Sequence, residues 1–132
     1  MRPLRLIRPM KTDDLAQVLR IQQACYDAAF HEPREAFLSK LAASPSTCWV
    51  TCMGEQIYAY LVSLPVDQGN MPALHAGKWH PAVEPTLLYL HDMAIDPAFR
   101  GGGLSCALLN EAIAHASTHG LQGLGLIAVQ DS

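Results

Sequence analysis

A mixed α/β fold is predicted for these 132 residues, on three observations. Leu87 to Ile95 is an apolar run of strand length, broken only by His91 and Asp92, and a Pro- and Gly-punctuated turn follows it. Leu108, Leu109, Ala112, Ile113 and Ala116 then recur as one stripe of a helix, and residues 120–130 supply another apolar strand. Such a β-α-β unit is expected to be a right-handed crossover with parallel strands. Earlier, residues 47–53 and 56–64 flank a Gly54-Glu55 turn too short for anything but antiparallel pairing. One sheet with both kinds of pair is mixed.

In chain order, residues 4–9 alternate weakly and read as a short edge strand ended by Pro9. Thr12 is placed as the N-cap of a first helix running to about Tyr26, with Asp13 and Asp14 where the macrodipole favours carboxylates. Leu15, Val18, Leu19 and Cys25 form its apolar side. Pro33 opens a second, shorter helix over residues 33–42. The hairpin follows. After Pro65 comes a long connection, residues 66–85, rich in Pro, Gly and His; that length in a small domain points to function. Gly120 stops the last helix. The order is β-α-α-β-β-β-α-β, with no internal repeat.

Half of the residues are hydrophobic and 16% are charged, which predicts a single globular domain over residues 1–132. A net charge of −3 argues against nucleic acid or an anionic membrane as the main partner. Arg5, Arg8 and Pro9 interrupt any signal-peptide core, and no stretch approaches the roughly 20 apolar residues of a membrane span, so a cytoplasmic location is expected. Cys25, Cys48, Cys52 and Cys106 have neither C-x-x-C spacing nor the density of a disulfide framework, and read as buried structural thiols. No His/Cys/Asp cluster has metal spacing, so no metal is expected.

The run Ile95-Asp-Pro97-Ala-Phe-Arg100-Gly-Gly-Gly103-Leu-Ser105 carries the functional signal. A strand feeding a Gly-rich turn into a helix N-terminus is an anion site, because unpaired N–H groups and the helix dipole point outward there. It is equally the pattern of a plain Gly-rich connector. The run resembles the acetyl-CoA signature of the GCN5-related N-acetyltransferases, Val-x-Pro-x-x-Arg/Gln-x-x-Gly-x-Gly/Ala. It matches at Ile95, Pro97, Arg100 and Gly103 and departs at Ser105. The element order agrees over the whole chain, so the resemblance implies the acyl-CoA N-acyltransferase fold. Rival phosphate motifs fit worse: no Gly-Lys-Ser/Thr is present, and Cys106 stands where a dinucleotide fingerprint needs its third glycine.

By this resemblance the cosubstrate is acetyl-CoA and the acceptor a primary amine, either a small molecule or a protein or peptide. The CoA pyrophosphate is expected on the turn formed by Arg100, Gly101, Gly102, Gly103, Leu104 and Ser105. The pantetheine arm is expected to pair like an added strand with Met93, Ala94 and Ile95. Family members continue past the strand that here ends near Val129 with a helix and one or two further strands, and that helix supplies a Tyr that protonates the thiolate. The sequence stops at Ser132, before them, so three expectations stand: it is a fragment, a partner chain completes the sheet, or the thiolate leaves without a protein acid. A fold lacking those elements exposes an edge at residues 124–129, which oligomerisation as a homodimer could cover.

Acetyl transfer from a thioester to an amine needs a neutral amine, an oxyanion donor and a proton for the thiolate. His91 is the candidate base, four residues before Ile95, because histidine is the side chain that titrates near neutral pH. Strict alternation puts Tyr89, His91, Met93 and Ile95 on one face, a parity that a bulge would shift. The run Tyr89-Leu-His91-Asp-Met-Ala-Ile also resembles the His-x-His-x-Leu-Ala-Val run of arylalkylamine N-acetyltransferases. There the second His, matching His91, is implicated in relaying the amine proton through water; Tyr89 stands at the first. Asp92 is a candidate base or orienter, and a satisfied core histidine is the alternative for His91. The oxyanion donor is expected at the N–H of Met93 or Ala94. Ser105 and Cys106 belong to the turn and have no adjacent base, so direct attack is expected rather than an acyl-enzyme. The alternative function is a catalytically weak CoA-binding module, a sensor or assembly subunit. His75 and His80 fall in the long connection, and His115 and His119 on the polar side of the last helix, where structural roles suffice.

Overall fold

Residues 5–67 and 84–126 are described by the computed structural model; His75, His80 and most of the long connection lie outside them. The elements come in the predicted order: β1 Leu6–Pro9, α1 Leu15–Cys25, α2 Arg34–Ala43, β2 Cys48–Met53, β3 Gln56–Val66, β4 Leu87–Ile95, α3 Leu104–Thr118 and β5 Gly123–Leu126. One five-stranded sheet runs β1-β2-β3-β4-β5, antiparallel from β1 to β4 and parallel between β4 and β5, so it is mixed as the hairpin and the β-α-β unit required.

The first helix begins differently from the sequence reading. Thr12–Asp14 is a 3-10 turn and Lys11, not Thr12, holds the cap position. The reason is Asp14, which turns inward: its carboxylate accepts the Lys11 N–H at 2.8 Å and the N–H groups of the two terminal Arg8 nitrogens, Nη1 and Nη2, at 2.7 and 2.8 Å. Burial pushes the Asp14 carboxyl up, but the Arg8 hydrogen bonds and the Lys11 amide more than offset this and leave it below its ordinary value. Such a group stabilises the fold above the carboxylate's unfolded value and loses that contribution as pH falls through the folded one. Asp14→Asn is expected to cost about 1–3 kcal/mol at pH 7. The gap from the unsubstituted protein should narrow below about pH 4, as read by urea unfolding at both pH values.

Two side-chain layers cover the sheet. On one face Leu15, Val18 and Ile21 of α1, with Phe37 and Leu41 of α2, pack on Val50, Tyr60, Val62 and Ala94. Fully burying an aliphatic side chain of that size is worth about 1.5–3 kcal/mol. On the other face Leu104, Leu108, Ala112 and Ala116 of α3 pack on Trp49, Leu61, Leu88 and Leu90. The third strand runs on through Pro65 to Val66, two residues further than the pattern suggested. It remains paired with β4, and β2 has already ended at the register Cys48↔Val62, so on that side there is no ladder for proline to interrupt.

The irregularity that matters lies in β4. Asp92 pairs with Val62 and Leu90 with Ser63, which leaves His91 as the extra residue of a β-bulge. Leu88 and Leu90 face α3 before the bulge, and Met93 and Ile95 face it afterwards. Tyr89 and Ala94 look toward the α1 and α2 side. The strict parity of Tyr89, His91, Met93 and Ile95 is thus replaced by one that shifts at His91.

Candidate functional site

A cleft of about 600 Å³ opens where β4 ends and α3 begins. Pro97–Phe99 forms a 3-10 turn whose start is held by the Asp96 carboxylate, which accepts the Ala98 N–H at 3.1 Å. Arg20 of α1 ties the same carboxylate at 3.3 Å. The chain then bends through Arg100 into the glycines, and Gly103 takes φ +78° as the N-cap of α3. That left-handed conformation is routine for glycine and costly for other residues. Gly103, Leu104 and Ser105 line the cleft mouth, and the first-turn amides of a helix have no acceptor within it.

Of the residues assigned from sequence to cofactor binding, Met93, Ala94, Ile95, Arg100, Gly101, Gly103, Leu104 and Ser105 all line this cleft. Gly102 does not; its carbonyl accepts Arg5 Nη1 at 3.0 Å. Three further lining residues, Cys25, Tyr26 and Phe99, escaped sequence reading. The Asp96 N–H bonds the Tyr58 carbonyl at 2.7 Å, so alternation turns the backbone of Ala94 toward β3 and that of Met93 and Ile95 outward. Of the two oxyanion candidates, only the Met93 N–H therefore faces away from β3. The outward carbonyls are engaged from the end of α1: Tyr26 Oη donates to Met93 O at 2.6 Å and Cys25 Sγ to Ile95 O at 3.1 Å. Burial, then the Asp92 charge, pushes the Tyr26 hydroxyl up to about 12, so it keeps its proton.

The candidate catalytic side chains lie on the α1 and α2 side of β4, and none of them lines the cleft. The His91 side chain is only 3% exposed, and its Nε2 sits 2.6 Å from Glu32 Oε1. Lys40 Nζ donates to the other Glu32 oxygen at 2.9 Å, with side-chain exposures of 1% and 2% for Lys40 and Glu32. His91 Nδ1 is buried and has no hydrogen-bond partner among the described residues. The Tyr89 ring meets the imidazole edge-on, centroids 5.6 Å apart. Asp92 does not orient His91; both its oxygens accept the Tyr60 hydroxyl at 3.0 Å.

Burial pushes the Asp92 carboxyl up to about 7; the Glu32 charge adds to this, while the Tyr60 hydrogen bond and Lys40 oppose it only in part. A raised carboxyl opposes folding increasingly as pH climbs from about 4 toward 7, because the unfolded chain ionises first. Asp92→Asn keeps an acceptor for Tyr60. It is expected to leave stability unchanged near pH 4 and to add about 1–3 kcal/mol at pH 8. Urea unfolding at the two pH values measures this, and no gain at pH 8 would contradict a buried, ionised Asp92.

Sequence reasoning missed Glu32 and Lys40. Glu32 lies in the α1–α2 connection, where no periodicity marks it. Lys40 carried a signal, a cation on the buried stripe of Ala36, Phe37 and Leu41. At the far end of α3, His115 stacks on His119 at 3.9 Å and meets Trp49 edge-on, and burial followed by the His119 charge lowers its basicity. Among the described residues, no three His, Cys, Asp or Glu side chains gather as a metal ion needs, and no helix is long and apolar enough to cross a membrane.

A sequence model of the Acetyltransferase (GNAT) family matches residues 15–132. Solved structures share the fold. The loading GNATL domain of CurA from Lyngbya majuscula superposes with a TM-score of 0.83 at 15% identity, over 96% of this chain and 65% of that one. The GphF GNAT-like decarboxylase in complex with isobutyryl-CoA gives 0.73 at 21% identity, over 84% and 58%. A GCN5-related N-acetyltransferase from Ralstonia eutropha JMP134 gives 0.68 at 26% identity, over 96% and 85%. The chain thus spans less than two thirds of the length of the first two. No curated protein matches the sequence.

Proposed function

Because the chain belongs to the GNAT family of acetyltransferases, we propose that it transfers the acetyl group of acetyl-CoA to a primary amine by direct attack. One observation carries this reading: a single cleft joins the outward edge of β4 at Met93 and Ile95 to the Gly turn and the N-terminus of α3. That juxtaposition suits a ligand with an amide-bearing arm at one end and phosphates at the other. The pyrophosphate lies on the turn amides, assisted by Arg100. The arm runs along β4, taking over the Met93 and Ile95 carbonyls from Tyr26 and Cys25 as it pairs. The Met93 N–H serves the oxyanion. His91, turned by the bulge toward the α1 and α2 side and 3% exposed, is the base and takes the amine proton through water. Tyr89 packs the imidazole in place. The isobutyryl-CoA complex of GphF supports an acyl-CoA in such a cleft, and the Ralstonia protein, an N-acetyltransferase by name, supports an amine acceptor.

A second reading, a CoA-binding module with weak catalysis, is favoured by the burial and ion pairing of His91. Calorimetric titration with acetyl-CoA, followed by a thiol-release assay over a panel of small amines and peptides, separates the two. Binding with turnover is expected; binding without turnover selects the module, and absence of binding defeats both.

A further inference from the structure

Glu32 has no part in the cofactor cleft, yet its placement is tightly specified. Gln22 of α1, 1% exposed, clamps its backbone twice, donating from Nε2 to Glu32 O at 3.0 Å and accepting the Glu32 N–H at 2.8 Å. The carboxylate is thereby delivered to His91 Nε2 at 2.6 Å and to Lys40 at 2.9 Å. Burial pushes the Glu32 carboxyl up, but the His91 hydrogen bond and the charges of His91 and Lys40 outweigh it and hold it at about 2. It is therefore ionised at any ordinary working pH. An ionised carboxylate can only accept hydrogen bonds, so Nε2 must carry the proton. In the neutral imidazole the lone pair is then on Nδ1, the atom that is buried without a partner among the described residues. Asp92 and Tyr89 on the same strand, Tyr60 on β3, and Glu32 and Lys40 from the helical side make up the titratable surroundings.

We propose that Glu32 is a positioning residue: by taking the Nε2–H of His91 it fixes the tautomer whose Nδ1 removes a proton from the acceptor ammonium. The proposal rests on the acetyltransferase reading. One ammonium N–H bond breaks, and its proton passes through water to Nδ1 and gives imidazolium. The freed amine lone pair forms the C–N bond, the C–S bond breaks, and a second amine proton passes to the departing thiolate. The imidazolium then returns its proton to solvent.

Glu32→Gln in the full chain tests this. Lys40 will retain the amide oxygen, which turns the amide NH2 toward His91 and reverses the tautomer. With isotopically labelled histidine, the His91 ring signals, assigned by comparison with His91→Gln, should show Nε2–H in the unsubstituted protein and Nδ1–H in Glu32→Gln. Turnover with the best amine of a panel should fall about 100-fold, as expected when a general base is held in the wrong tautomer. Acetyl-CoA affinity should not change. An Nδ1–H tautomer in the unsubstituted protein, or full turnover in the variant, overturns the proposal. The expected tautomer without any amine turnover overturns the acetyltransferase reading, and the catalytic role of Glu32 with it. If Glu32→Gln does not fold, Lys40→Met keeps Glu32 on Nε2 and removes the cation. The His91 Nε2–H signal should then persist, and its loss overturns the proposal.

Discussion

Gly103→Val is expected to lower acetyl-CoA affinity at least about 100-fold, or about 2.7 kcal/mol, while the protein remains folded. Gly103 holds φ +78° as the N-cap of α3. A β-branched residue in the left-handed region costs about 1–2 kcal/mol, which a domain of ordinary stability, about 5–15 kcal/mol, survives. Among the described residues, apart from Gly103 itself and its chain neighbours, no heavy atom lies within 4 Å of where a Cβ at Gly103 would stand. The side chain therefore fits the unliganded fold, and its bulk is felt by whatever approaches the turn. Gly102→Ala is the matched control, since its Cβ meets only ordinary contacts, the nearest being Arg5 Nη1 at 3.5 Å, and Gly102 does not line the cleft. Calorimetric titration of both variants decides the matter. Retained affinity in Gly103→Val would remove the proposed phosphate site.

His91→Ala should reduce turnover about 100- to 1,000-fold, the range of a lost general base. Acetyl-CoA affinity should hold, because His91 is not in the cleft. The alanine leaves Glu32 paired with Lys40, so no uncompensated charge is stranded in the core. The acidic limb of the pH profile should change with the imidazole gone, and a profile identical to that of the unsubstituted protein would refute the base role. Tyr89→Phe separates packing from chemistry. It keeps the ring that meets His91 edge-on at 5.6 Å and should leave turnover close to normal.

Much of the cleft was legible in the sequence because its parts are contiguous. The apolar run of β4, the Pro97 break, the glycines and the stripe of α3 follow one another between Leu87 and Thr118, and each is read by local rules of period and backbone freedom. The side chains over β4 were less legible. Period-two alternation gave one face for Tyr89, His91, Met93 and Ile95; the bulge opposite Val62 and Ser63 reassigns it, and a bulge is a property of two paired strands, not of one. Asp14 is a similar case, since its inward turn depends on Arg8 across the chain bend and displaced the expected N-cap.

By itself the sequence determined the mixed sheet, the order of its elements and the turn that leads into α3. These arise from interactions within a few residues, and the residues involved carry their own signatures. Only the tertiary structure decided what surrounds His91. Its partner Glu32 is 59 residues away and comes from an unpatterned connection, and the cation that balances Glu32 sits on α2. Burial is what makes those distant groups matter: with exposures of 1–3%, the carboxylate, ammonium and imidazole have exchanged water for one another. No local pattern in the chain records that exchange.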